Sequence, residues 1–73
     1  MRKTTALCFD REQDQWCVEL GNRSYPLHCG ESFLLFIGKT AYPCRLELDT
    51  SWYVILPETQ FTLHTSTVYT VSI

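Results

Sequence analysis

Apolar and polar residues alternate along much of this 73-residue chain, the period-two pattern of half-buried strands. Gln15 to Leu20 alternates cleanly, with Trp16, Val18 and Leu20 on one face and Cys17 and Glu19 on the other. Cys44 to Asp49 sets Cys44, Leu46 and Leu48 against Arg45, Glu47 and Asp49. Thr4 to Asp10 places Leu7 and Phe9 together, and Val68 to Ile73 groups Tyr69, Val71 and Ile73. Phe33–Ile37 and Trp52–Leu56 are apolar on both faces, which predicts strands covered on both sides. No stretch keeps a helical i, i+3, i+4, i+7 apolar pattern over ten residues.

The breakers between these runs are short. Arg11–Asp14 is a polar turn, and Gly21-Asn22 has Gly first, as a type II′ hairpin requires. Gly38-Lys39 turns the chain again, Asp49–Ser51 is a brief link, and Pro57–Gln60 ends the second doubly apolar run. Phe61 to His64 reads as a short extended piece or turn. Pro26 demotes the piece around Tyr25 to a sheet edge or an irregular crossing. Six or seven short antiparallel strands in one domain, residues 1–73, make this an all-β chain. Apolar strand faces must be closed over or folded together, so the expected architecture is a small, partly open barrel of SH3-like type.

Composition supports that picture and narrows it. Nine Thr, four Val and three Ile enrich the chain in β-branched residues. The longest apolar runs fall far short of a membrane span, and no signal-peptide stretch precedes Asp10, so the expected setting is the cytoplasm. Cys8, Cys17, Cys29 and Cys44 lack a Cys-x-x-Cys spacing. Buried free thiols are the leading expectation, ahead of a zinc site assembled with His28 and His64, with disulfides last. Six Lys and Arg against eight Asp and Glu give a formal charge of −2. Residues 46–73 carry Glu47, Asp49 and Glu58 and no Lys or Arg, and the largest basic cluster is Arg2-Lys3. A phosphate-binding role needs a larger positive footprint, so nucleic acid is not the expected partner.

The one dense polar constellation is His28-Cys29-Gly30-Glu31. A catalytic reading makes Cys29 a nucleophile activated by a histidine. Neighbours along a strand point to opposite faces, so His28 is badly placed for that task unless the segment turns, and His64 is the other candidate. The simpler reading is a tight turn in which Gly30 supplies positive φ, His28 or Glu31 satisfies turn amides, and Cys29 packs inward. So short a chain has little core to spare for a shaped, water-excluding site, and the turn is the expected outcome. No catalytic residue, metal or cofactor is expected. Arg45, Glu47 and Asp49 lie on one strand face, either as a charged recognition strip or as solvated sheet surface. The aromatics exceed what a small core can hold. Trp16, Tyr25, Tyr42 and Tyr53, with Arg45, Glu47 and Asp49, form the candidate interaction surface, and the doubly apolar strands leave self-association open.

Leu27-His28-Cys29-Gly30-Glu31-Ser32-Phe33, followed by Arg45-Leu46-Glu47 and Trp52-Tyr53, resembles a family of small uncharacterised proteins from phages, plasmids and conjugative elements of Gram-positive bacteria. Asp10-Arg11 fits the start of that pattern, and the likeness runs from Asp10 to about Leu56. Thr40-Ala41-Tyr42-Pro43 stands where the pattern has a tryptophan after the glycine turn. The resemblance implies context and no chemistry. The resulting expectation is a non-enzymatic protein-binding module carried on a mobile element, occupying a surface of a host or phage protein. Inhibition of a host defence system is its sharpest form. A small nucleic-acid-associated barrel or regulator is the alternative.

Overall fold

The computed structural model describes residues 4–73 and is all-β there, with eight strands and no helix among the described residues. Arg2-Lys3, the basic cluster noted in the sequence, lies outside the described residues. The strands are β1 (Thr4–Asp10), β2 (Gln15–Leu20), β3 (Arg23–Pro26), β4 (Ser32–Ile37), β5 (Thr40–Leu48), β6 (Trp52–Ile55), β7 (Gln60–Thr62) and β8 (Tyr69–Ser72). All neighbours are antiparallel in a single sheet of order β3-β2-β1-β8-β4-β5-β6-β7.

Local chemistry accounts for the two meanders. The Asp10 carboxylate accepts from the Glu12 amide at 3.0 Å, capping the first turn, which closes through Asp14 at φ 53°. Gly21-Asn22 forms the two-residue hairpin between β2 and β3, with Gly21 at φ 63°. Gly38 at φ 61° turns β4 into β5. Strand β3 lies at the edge, as Pro26 requires of it. The last strand joins the meanders. β8 pairs with β1 along Thr4–Leu7 and with β4 along Leu34–Phe36.

The expected barrel is corrected in two respects. There are eight strands rather than six or seven, and the ladder does not close, because β3 and β7 each have one neighbour. The sheet instead curls over a single core. Phe61 of β7 meets Tyr69 of β8 at 6.1 Å between ring centroids, although β4, β5 and β6 separate those strands in the ladder. Leu7, Trp16, Val18, Leu35, Leu46, Val54 and Val71 are all but inaccessible within it. Curling hides the apolar face as closure would, while leaving two sheet edges unpaired.

The doubly apolar runs behave as covered strands in part. β4 lies near the middle of the ladder, with Phe33 and Leu35 buried and Leu34 and Phe36 half-buried on the opposite face. β6 buries Trp52 and Val54 and half-buries Tyr53 and Ile55. Trp16, expected at the surface, is fully buried. Its ring lies 5.3 Å from Phe9 and 5.7 Å from Tyr69, whose strand β8 pairs with β1 on the side away from β2.

Candidate functional site

The His28–Glu31 block is a turn. Gly30 takes φ 90°, which a type II turn needs at its third position, and the Glu31 amide donates to the His28 carbonyl at 3.1 Å. The Glu31 carboxylate accepts from the His28 amide and lies 3.6 Å from His28 Nδ1. Gly30 N–H donates to the Leu46 carbonyl at 2.8 Å, and Leu46 N–H to the Glu31 carbonyl at 2.9 Å, so the turn is fastened to β5. Cys29 is exposed rather than packed inward, since the fastened backbone leaves that corner of the turn facing solvent. The segment is therefore built by the backbone bonds of Gly30 and Glu31. His64 is engaged elsewhere, its ring edge-on to Phe61 at 6.3 Å and its amide donating to Tyr69 Oη at 2.8 Å.

The four thiols are all unbridged and differ in environment. Cys17 and Cys44 are buried, Cys8 is half-buried and Cys29 is exposed, so the buried-thiol expectation holds for two of them. Burial pushes the Cys44 thiol up to about 11. Burial also raises Cys17, helped by Asp10, Glu19 and Cys8 and opposed by a hydrogen bond from Ser24. No three His, Cys, Asp or Glu side chains come together as metal ligands among the described residues. Among the described residues no helix is long and apolar enough to cross a membrane.

The candidate surface residues do not form one patch. Arg45 and Glu47 share the outward face of β5, with Arg45 Nε 2.7 Å from Glu47 Oε2. Glu47 stands opposite Tyr53 of β6, and Arg45 stands between Ser32 and Ile55 in register. These residues, with half-buried Tyr53, make a coherent strip. Asp49 lies beyond it in the β5–β6 turn, where its amide donates to the Ser51 carbonyl. Tyr25 is exposed on the distant β3 edge, and Tyr42 is exposed on the opposite parity of β5.

A groove borders that strip, and sequence reading missed it. Strand β6 pairs with β5 only from Arg45 to Leu48, so β5 is flanked by β4 alone along Thr40–Cys44. Pro43 sits in this half-paired stretch, where its missing N–H costs no ladder bond. Beyond the end of β6, Leu56 and Pro57 approach the open side. They and Ser32, Phe33, Pro43, Cys44, Arg45 and Ile55 enclose a shallow apolar groove of about 310 Å³. A second hollow of about 260 Å³, bordered by Tyr42 and Glu58, shares Leu56 and Pro57 with it. The signal available in the sequence was the pair of prolines, each just outside an apolar run, but their proximity depends on register.

A family model described as a domain of unknown function, DUF5348, matches residues 5–73. The crystal structure of a protein from Ruminococcus gnavus is similar in fold, with a TM-score of 0.74, 24% sequence identity, and coverage of 97% of this chain and 100% of that one. No curated protein matches the chain.

Proposed function

The chain belongs to the DUF5348 family, and from that premise we propose that it is a non-enzymatic protein-binding module. One observation carries the reading: the apolar groove along the half-paired stretch of β5, bordered by the Arg45–Glu47–Tyr53 strip. Apolar floor, a charged margin and tyrosines are the composition of a protein interface, with aromatic and arginine side chains as anchors. The Arg45 guanidinium is half exposed and can exchange Glu47 for a partner's carboxylate. The likeness of the Leu27–Phe33 block to mobile-element proteins of Gram-positive bacteria supports the setting. The module acts in the cytoplasm on a host or phage protein, and a defence component is the sharpest candidate.

Affinity capture from a Gram-positive host tests this, with Arg45→Glu and Tyr53→Ala beside the unchanged protein. The reading requires one captured protein that both variants lose while their circular dichroism stays native, and that Arg23→Glu on the far edge retains. Retention by the groove variants overturns it. A salt-sensitive shift of labelled DNA or RNA by the unchanged protein favours a nucleic-acid regulator instead.

A further inference from the structure

Cys8 and Cys17 are direct cross-strand partners in the β1–β2 ladder. Both are free, Cys17 buried and Cys8 half-buried, and they share the face opposite the core. Directly opposed residues in an antiparallel pair have Cβ atoms about 4.5–5.5 Å apart. A disulfide needs Cβ atoms about 3.5–4.5 Å apart and Cα atoms about 4.4–6.8 Å apart. By these ranges an opposed pair satisfies the Cα requirement and stands at or beyond the upper Cβ limit.

The kind of ladder position decides what such a bond would be. Leu27 N–H donates to the Trp16 carbonyl at 2.8 Å, so Trp16 turns its polar groups toward the β3 side. Alternation turns those of Cys17 toward β1 and Cys8. Pro26, opposite Cys17 on β3, has no N–H to offer and fits the same assignment. Cys8 and Cys17 therefore occupy a hydrogen-bonded pair, where Cα atoms stand about 5.5 Å apart and side chains are held wider than at the alternate positions. A bond closed there works against the ladder.

We propose that Cys8 and Cys17 form a reversible dithiol–disulfide site, oxidised by low-molecular-weight disulfides such as glutathione disulfide. The Cys8 thiolate, on the more accessible side chain, attacks one sulfur of the oxidant and expels a glutathione thiolate. The Cys17 thiolate then attacks Cys8 Sγ in the mixed disulfide and expels the second. Two protein thiols give up two protons and two electrons, and one glutathione disulfide becomes two glutathiones. Burial raises the Cys17 thiol above its usual range, which leaves Cys8 to attack first. Stretch across the hydrogen-bonded position makes the product easier to reduce than a structural disulfide, so reduced glutathione reopens it. Cys29 and Cys44 take no part, one on the outer corner of a turn and the other in the core.

Tryptic mapping of the full chain after equilibration in glutathione redox buffers tests the proposal. Arg11, Arg23 and Lys39 place the four cysteines on four different peptides. The expected product joins Thr4–Arg11 to Glu12–Arg23, is lighter by two hydrogen atoms, and reverts when reduced glutathione is restored in excess. It forms equally in a Cys29→Ser variant and is absent from Cys8→Ser, which carries no other intramolecular bridge. Three results overturn the proposal: glutathione retained on Cys8 with no linked peptide, a linked peptide containing Cys29 or Cys44 in its place, or a Cys8–Cys17 bond that excess glutathione leaves intact.

Discussion

Trp16 separates the core from the surface most sharply, since its place in an alternating strand is compatible with either. It is fully buried between Phe9 and Tyr69, and its Nε1 has no hydrogen-bond partner. Trp16→Ala deletes the largest fully buried side chain of the core and costs about 3–5 kcal/mol. A domain of this length holds about 4–11 kcal/mol in all, so the variant loses about a quarter of its stability or more. Trp16→Phe is the informative companion. Its smaller ring gives up about 1–2 kcal/mol of burial, but removes a buried, unpaired N–H whose desolvation costs about 1–3 kcal/mol. The two nearly cancel, leaving Trp16→Phe within about 1 kcal/mol of the unchanged protein. Urea titration followed by Trp52 fluorescence and far-ultraviolet circular dichroism measures both. A cost below about 1 kcal/mol for Trp16→Ala would mean a surface position and refute the packing argument. Equal costs for the two variants would refute the role given to the indole N–H.

Four further outcomes follow from the fold. Gly30→Ala costs about 1–2 kcal/mol in thermal unfolding; a Cβ would meet nothing within 4 Å, so the penalty is the backbone conformation alone. Gly38→Asn is milder, because φ 61° lies in the left-handed region that asparagine tolerates, and comparable losses at the two positions would contradict this. Alkylation with mass mapping labels exposed Cys29 first and Cys44 last. The folded Cys44 thiol is pushed up to about 11 from a usual 9.0, so its contribution to stability is complete below pH 9 and falls as pH rises through 11; native-state labelling of Cys44 at pH 8 as fast as Cys29 would sink it. Arg45→Ala removes an exposed ion pair and shifts stability by less than about 1 kcal/mol, so a larger loss in urea titration would show the strip to be structural.

Much of the fold was legible because the side-chain period alone assigns strand faces. The alternation of Cys44, Leu46 and Leu48 against Arg45 and Glu47 located the outward strip, and Pro26 located an edge. Gly30 and Glu31 marked the turn, since positive φ and a local carboxylate acceptor are properties of those residues themselves. Cys29 was misplaced because it sits in a turn, where no strand period applies, and Trp16 for another reason. Period fixes which face a residue lies on, but not what covers that face. Leu48 alternates in phase with buried Leu46 and is exposed, because it lies at the end of its strand beyond the core. The groove escaped for the same cause, being made by where β6 stops along β5.

The least readable element is the one that organises the rest. Tyr69–Ser72 is short and unremarkable in pattern, yet among the described residues it supplies the only ladder between the β1–β3 and β4–β7 meanders. Neither β1 nor β4 offers a local cue for it, since its partners Thr4–Leu7 and Leu34–Phe36 lie tens of residues away. Its central place also explains the curl. Val71 must be covered from both meanders, and Tyr69 bridges Trp16 of the first to Phe61 of the second. The two proposed sites therefore fall on opposite sides of a seam. The Cys8–Cys17 pair belongs to one meander and the β5–β6 groove to the other, with β8 between β1 and β4 in the ladder that separates them. Coupling between them would have to cross that seam, through the β8 ladders at Val71–Leu35 and Val71–Thr5 and through the core packing of Tyr69 on Trp16 and Phe61.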